Sequence, residues 1–186
     1  MAGGRSSRFG RNKLSVPFRG KLLVENLFSR LTDFPEVLLV TKNPLSFSHL
    51  TGRYRNLRVV PELFDIYSPV CGIYTALKEA TFRKVLILPG DSPLVRKEIL
   101  KFFSIQVPPA VLSGGGRTHF LFTLLLKDHI LTVERFLRSG KYKLKELHSL
   151  LNSKEVSFST YGPYDHRGDS LINVNRPEDY YEALYR

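Results

Sequence analysis

The chain has 186 residues, 42% of them hydrophobic, and 28 Lys and Arg against 17 Asp and Glu give it a formal net charge of +11. That length supports one full core and is short for two, so a single domain over 1–186 is expected. No apolar run is long enough to span a bilayer, and the glycine- and arginine-rich start does not read as a signal peptide. The lone Cys71 excludes an intramolecular disulfide and a Cys-x-x-Cys metal site; a cytoplasmic protein with no membrane partner is expected, with Cys71 as a packing residue.

The first stretch, Ala2-Gly3-Gly4-Arg5-Ser6-Ser7-Arg8-Phe9-Gly10-Arg11-Asn12-Lys13, has the makings of a phosphate cradle. Its glycines let the backbone approach a ligand closely, successive N–H groups form an anion site, and Arg5, Arg8, Arg11 and Lys13 add charge where phosphates would sit. It is neither a Walker A loop, since Leu14 stands after Lys13 where Ser or Thr would be needed, nor a Rossmann fingerprint, since Gly-x-Gly-x-x-Gly is absent. A helix is expected over 22–31, with Leu23, Leu27 and Leu31 on one face, and then a buried strand at 37–40. Alternation follows: a strand at 57–60, a helix at 72–80, a strand at 85–88, a helix at 97–103 and a short strand at 110–112. Beyond Gly114-Gly115-Gly116, read as the most flexible interior point, come a strand at 120–126, helices at 130–138 and 143–151, strands at 156–159 and 171–174, and a last helix starting at Pro177. The fold class expected is α/β, a three-layer α/β/α Rossmann-like arrangement with a mostly parallel central sheet.

Asp91 lies just past a strand end, where open α/β sheets bind ligands, and a single carboxylate completed by phosphate oxygens suits Mg²⁺; Asp-Ser-Pro is equally good turn chemistry. Asn43 and Asp65 follow strands and offer donors and acceptors that suit a base or a ribose, although both also fit ordinary turns. If 171–174 is a strand, alternation puts Asn173 and Asn175 on one face. His119 is a lone histidine, and the other four have no metal spacing.

Together these segments resemble the molybdenum cofactor guanylyltransferase (MobA) family of nucleotidyltransferases. The opening stretch is similar to its Leu-Ala-Gly-Gly-x-Ser-x-Arg-Met-Gly-x-Asp-Lys signature, with Met1, Phe9 and Asn12 as departures. Leu88-Pro89-Gly90-Asp91-Ser92-Pro93 matches its Asp-x-Pro, and Asn173-Val174-Asn175-Arg176-Pro177-Glu178-Asp179 its closing Asn-x-Asn-Thr-Pro-Glu-Asp, with Arg176 for Thr. Asp65 through Ile73 resembles its Asp followed by Gly-Pro-Leu-x-Gly-Ile, with Ser68 for the first glycine, and Arg117-Thr118-His119-Phe120-Leu121 its His-Pro-Leu. In that family the signature follows a hydrophobic first strand, so a strand truncated before Met1 is expected.

The resemblance implies transfer of GMP from GTP to the phosphate of molybdopterin, releasing pyrophosphate. Lys13, Arg8 and Asp91 would be catalytic, with Asp91 holding Mg²⁺. Ala2, Gly3, Gly4, Arg5, Lys13, Asn43 and Asp65 would bind the nucleotide, and Asn173, Asn175 and His119 the acceptor. GTP and molybdopterin would be the substrates, with molybdoenzyme-maturation proteins as further partners. Two other readings stay open at this point: the same scaffold using CTP or another phosphorylated acceptor, and a basic nucleic-acid-binding module. Against the second, Lys and Arg are spread from Arg5 to Arg186 with acidic residues between, and the aromatic residues lie mostly inside apolar runs, so no nucleic-acid partner is expected.

Overall fold

The computed structural model describes residues 13–186. After a 3-10 turn at Lys13–Ser15 comes a minimal hairpin of β1 (Pro17–Phe18) and β2 (Lys21–Leu22). Arg19 and Gly20 take φ of 49° and 77° in its turn, the doubly left-handed pair of a two-residue hairpin. Strands this short leave no alternation to read, and the sequence expectation does not contain them. Helix α1 (Leu23–Phe28) follows directly, the Glu25 carboxylate accepting from the Leu22 amide at 2.9 Å to close its first turn.

β3 (Val37–Thr41) and β4 (Leu57–Pro61) pair in parallel with Val37 opposite Leu57. Helix α2 (Pro69–Glu79) begins three residues before the expected Gly72, because the Ser68 hydroxyl accepts from the Val70 amide at 3.1 Å and Pro69 suits the first helical position. Next come β5 (Lys84–Ile87), α3 (Lys97–Ser104), β6 (Ala110–Gly114) and β7 (Arg117–Leu126). Helices α4 (Ile130–Arg138) and α5 (Leu144–Leu150), strand β8 (Lys154–Ser157), the short α6 (Phe158–Tyr161) and the closing α7 (Pro177–Tyr185) complete the described chain.

The expectation of one mostly parallel sheet needs correction. Among the described residues the strands form a parallel β3-β4 pair and a mixed sheet in the order β5-β7-β6-β8. The cause is the stretch 114–116, which is a tight turn and not a flexible point. Gly115 and Gly116 take φ of 59° and 73°, sending β7 straight back antiparallel to β6. At ten residues, β7 is long enough to pair with β5 as well, also antiparallel. Gly114 is required there for a different reason: a Cβ would collide with the Tyr161 hydroxyl and the Leu171 side chain.

Successive strand residues divide between two apolar clusters, as the period of two dictates. Leu39, Leu88 and Leu124 pack with residues of α1, α3 and α7. Val40, Ile87 and Leu125 pack with residues of α2, α4 and α5, Cys71 among them, fully buried and with its thiol pushed up by burial. The packing role expected for Cys71 fits that position. Segment 171–174, expected as a strand, is not one: Asp169–Leu171 forms a 3-10 turn and 172–176 is irregular.

His148 on α5 ties that helix to β7. Its Nε2 donates to the Phe120 carbonyl at 3.0 Å, its Nδ1 accepts from the Ser153 hydroxyl at 2.9 Å, and its ring stacks on Phe120. Burial pulls its pKa down to about 4 from the ordinary 6.5. The unfolded chain therefore binds the proton first, and stability falls as the pH drops from above 6.5 towards 4, by about 3 kcal/mol from this group. Urea titrations of the parent and of His148→Asn at pH 7 and pH 4 should give a smaller acid loss for the variant; equal losses would remove His148 as the source.

Candidate active site

Just past the carboxyl end of β5, residues from three distant parts of the chain meet. The Lys13 ammonium pairs with the Asp91 carboxylate and also donates to Asn175 Oδ1 at 3.0 Å. The buried Ser92 hydroxyl donates to Asn173 Oδ1 at 2.6 Å, and the Val174 amide donates to the Asp91 carbonyl at 2.8 Å. Segment 173–175 is thus held against 91–92 by backbone and side chain together. Strand alternation is not what aims the two asparagines; this pinned loop is. It is fixed from its other side by Asp179, whose carboxylate accepts from the amides of Asn175 and Arg176 at 2.8 Å each, a cap on α7.

The structure therefore brings together Lys13, Asp91, Asn173 and Asn175. Ala2, Gly3, Gly4, Arg5 and Arg8 lie outside the described residues. His119 does not join the cluster: on β7 it donates to the Gly114 carbonyl at 3.3 Å, inside its own hairpin, with its pKa lowered by burial.

A second group gathers where β3 and β4 end. Asn43 is exposed at the start of the 3-10 segment Pro44–Leu50, and Asp65 is exposed in the loop before α2. Directly after β4 lies Glu62, which sequence reading missed. Its amide donates to the Thr41 carbonyl at 2.9 Å, and its side chain is only 3% exposed. Lys42 Nζ stands 3.7 Å from its Oε1 and 4.7 Å from the centre of the Tyr67 ring. That oxygen has no hydrogen-bond partner among the described residues. Burial, only partly offset by Lys42, raises the Glu62 pKa. The buried oxygen faces the Lys42 ammonium, which offsets part of the cost of burying the carboxylate at the end of the parallel pair. No local pattern signals it, because its burial comes from tertiary packing.

Among the described residues no three His, Cys, Asp or Glu side chains gather to hold a metal. Asp91 with the asparagine oxygens beside it is a hard-oxygen set short of a full cage, which fits a Mg²⁺ ion sharing its shell with substrate phosphates and water.

Comparison with solved structures defines the class. A molybdopterin-guanine dinucleotide biosynthesis protein A from Archaeoglobus fulgidus superposes with a TM-score of 0.83 at 22% identity, covering 99% of this chain and 94% of that one. A nucleotidyl transferase from Methanothermobacter superposes at 0.74 and 19% identity, covering 99% and 93%. The fold is that of the α/β nucleotidyltransferases. A family model described as a MobA-like NTP transferase domain matches residues 1–153. In sequence, a probable molybdenum cofactor guanylyltransferase from Aquifex aeolicus is 31% identical over 181 residues, covering 96% of this chain and 85% of that protein. Another from Carboxydothermus hydrogenoformans is 31% identical over 187 residues, covering 99% and 92%. The chain belongs to the MobA-like NTP transferase family.

Proposed function

We propose that the protein transfers GMP from GTP to the terminal phosphate of molybdopterin, forming the guanine dinucleotide cofactor and pyrophosphate. The observation that carries the site assignment is the convergence of Lys13, Asp91, Asn173 and Asn175 beyond β5. An oxygen of the acceptor phosphate attacks the α-phosphorus of GTP; that bond forms as the bond from the α-phosphorus to the bridging oxygen breaks and pyrophosphate departs. The attacking oxygen is already anionic, so this chain needs no general base, and its residues act by positioning and charge. Lys13 neutralises the phosphates, with Arg8 and the glycine-rich stretch Ala2 to Arg5 assigned to the same task from sequence. Asn173 and Asn175 orient the acceptor from the pinned loop, with His119 assigned to the acceptor side from sequence. Asp91 would hold Mg²⁺, which when bound supplies charge stabilisation at the phosphates.

Asn43 and Asp65 hold the nucleoside. The exposed Asp65 carboxylate is suited to accept from the N–H groups on the base edge of guanine, an edge on which cytosine presents a different pattern. The same reading carries a three-layer arrangement, supported by the two apolar clusters, and a cytoplasmic setting with molybdoenzyme-maturation proteins as recipients of the product. Among the described residues no helix is long and apolar enough to cross a membrane.

Calorimetric titration with GTP, CTP and ATP, each with and without Mg²⁺, tests the reading. Magnesium-dependent preference for GTP is expected. Preference for CTP would change the product while leaving the family, and equal weak binding of all three would overturn the site.

A further inference from the structure

Two buried side-chain atoms that lack a hydrogen-bond partner among the described residues lie close together in sequence: the hydroxyl of Tyr161, the last residue of α6, and Asp165 Oδ1. Tyr161 is fully buried and Asp165 is 1% exposed. Tyr161 is pressed against the end of β6, where its hydroxyl takes the space that a Cβ on Gly114 would need. The other oxygen of Asp165 is committed to the backbone, Oδ2 accepting from the Ser170 amide at 3.0 Å. The turn between the two is closed by the Asp165 carbonyl, which accepts from the Gly168 amide at 2.9 Å with Gly168 in the left-handed region at φ 68°. Fully buried Ser170 carries the link onward, its Oγ accepting from the Arg96 amide at 2.9 Å. Arg96 stands just before α3, on the loop that leaves Asp91 and Ser92. Turn 165–170 is therefore tied to the same loop that Asn173 and the Val174 amide grip a few residues further on.

Burying a carboxylate is unfavourable, and one backbone amide offsets only part of the cost. What the residue contributes is geometry. We propose that Asp165 is a positioning residue for the acceptor side of the candidate site, fixing through Ser170 where Asn173 and Asn175 stand over the Asp91 loop. This rests on the reading of those two asparagines as acceptor contacts. Asp179 fastens the far end of the same segment from its exposed side, so the two aspartates bracket the asparagines, one from the core and one from the surface. Tyr161 is the donor at hand for Oδ1. Burial, and after it the Asp165 charge, push its pKa up to about 12, so the hydroxyl keeps the proton it has to donate. The nucleoside contacts Asn43 and Asp65 lie beyond β3 and β4, outside this chain of bonds, so loosening it falls on the acceptor and spares the nucleotide.

Steady-state kinetics with GTP and molybdopterin, beside calorimetry with GTP alone, test the assignment. Asp165→Ala should raise the KM for the acceptor about tenfold, with kcat changed less than about threefold and the Kd for GTP within about twofold of the parent. In Asp165→Asn the amide oxygen still accepts from Ser170 and the NH2 group can meet the Tyr161 hydroxyl, so KM should return to within about threefold of the parent. Amide exchange over 170–175 should quicken in the alanine variant while that of β3 and β4 stays as in the parent. An alanine variant with the parent's acceptor KM, a GTP Kd weakened in step with that KM, or an asparagine variant no better than alanine would each overturn the proposal. Should Asp165→Ala not fold, Ser170→Ala takes its place: it keeps the amide that Asp165 holds, loses the link to Arg96, and has to raise the acceptor KM in the same way. Should the parent transfer no GMP to molybdopterin, the proposed function fails by itself and amide exchange decides on Asp165. Faster exchange confined to 170–175 then supports the assignment, and unchanged exchange overturns it.

Discussion

Replacing Asp91 by asparagine is expected to lower nucleotidyl transfer about 10²- to 10³-fold, while the thermal midpoint stays within a few degrees of the parent. The two halves of this expectation have separate causes. For stability, the Lys13–Asp91 pair is mostly sheltered, with side chains 18% and 13% exposed, so losing its charge while keeping an acceptor costs about 1–2 kcal/mol. Asparagine keeps the size of the side chain and one acceptor for Lys13, and the Asp91 carbonyl still receives the Val174 amide. For catalysis, the same change removes the negative charge that the proposed mechanism assigns to Asp91. Pyrophosphate release measured beside a thermal melt separates the two effects. Raising Mg²⁺ should restore part of the lost rate if the charge serves to hold the ion. Turnover equal to that of the parent would remove Asp91 from the reaction.

Truncation of Phe103 to alanine should produce the reverse pattern, a large loss of stability with the chemistry left intact in molecules that remain folded. Phe103 on α3 is fully buried and meets the Phe122 ring of β7 edge to face, with centroids 5.8 Å apart. It bolts the helix that follows the Asp91 loop to the central strand of the mixed sheet. Removing the ring forfeits its burial and leaves a cavity that close-packed neighbours cannot collapse, at a cost of about 3–5 kcal/mol. For a chain of this size that corresponds to a fall of about 10 °C in the midpoint. Phe103→Leu retains most of the volume and should lose less than half as much. An alanine variant as stable as the parent would mean that the contact between α3 and β7 is dispensable.

The α/β character was legible because it rests on local signals. Runs such as Val37 to Val40, leucines at helical spacing from Leu23, and Pro177 with acidic residues behind it each carry their own physical cause. Asp91 and Lys13 were legible from motif spacing, and the structure sets them in contact. Sheet order was not, because β7 lies between β5 and β6 through a turn whose two left-handed glycines read, in sequence, as slack. Asn173 and Asn175 were found for a reason that does not hold: no strand aims them, and the Ser92 hydroxyl, 81 residues from Asn173 in sequence, and the Asp91 backbone do so. Glu62 escaped notice because a glutamate beside Leu63 looks like any solvated strand end until the fold buries it. His119 carried a role by resemblance alone, and its hydrogen bond to Gly114 places it in the hairpin.

The ties that close the candidate site also set when it can exist during synthesis. Lys13 bonds to Asn175 across 162 positions of sequence, Arg19 donates to the Ala183 carbonyl on α7, and the Phe18 ring packs against Tyr180. While the ribosomal tunnel still holds the final turns of helix, the emerged polypeptide lacks both the asparagine loop and the helix that clasps the first hairpin. Such a nascent chain keeps its apolar α1 face without its α7 cover and has no assembled phosphate site. Contacts this distant in sequence form late and slowly, so nucleotide capture has to wait until residues 173–183 are free to fold back.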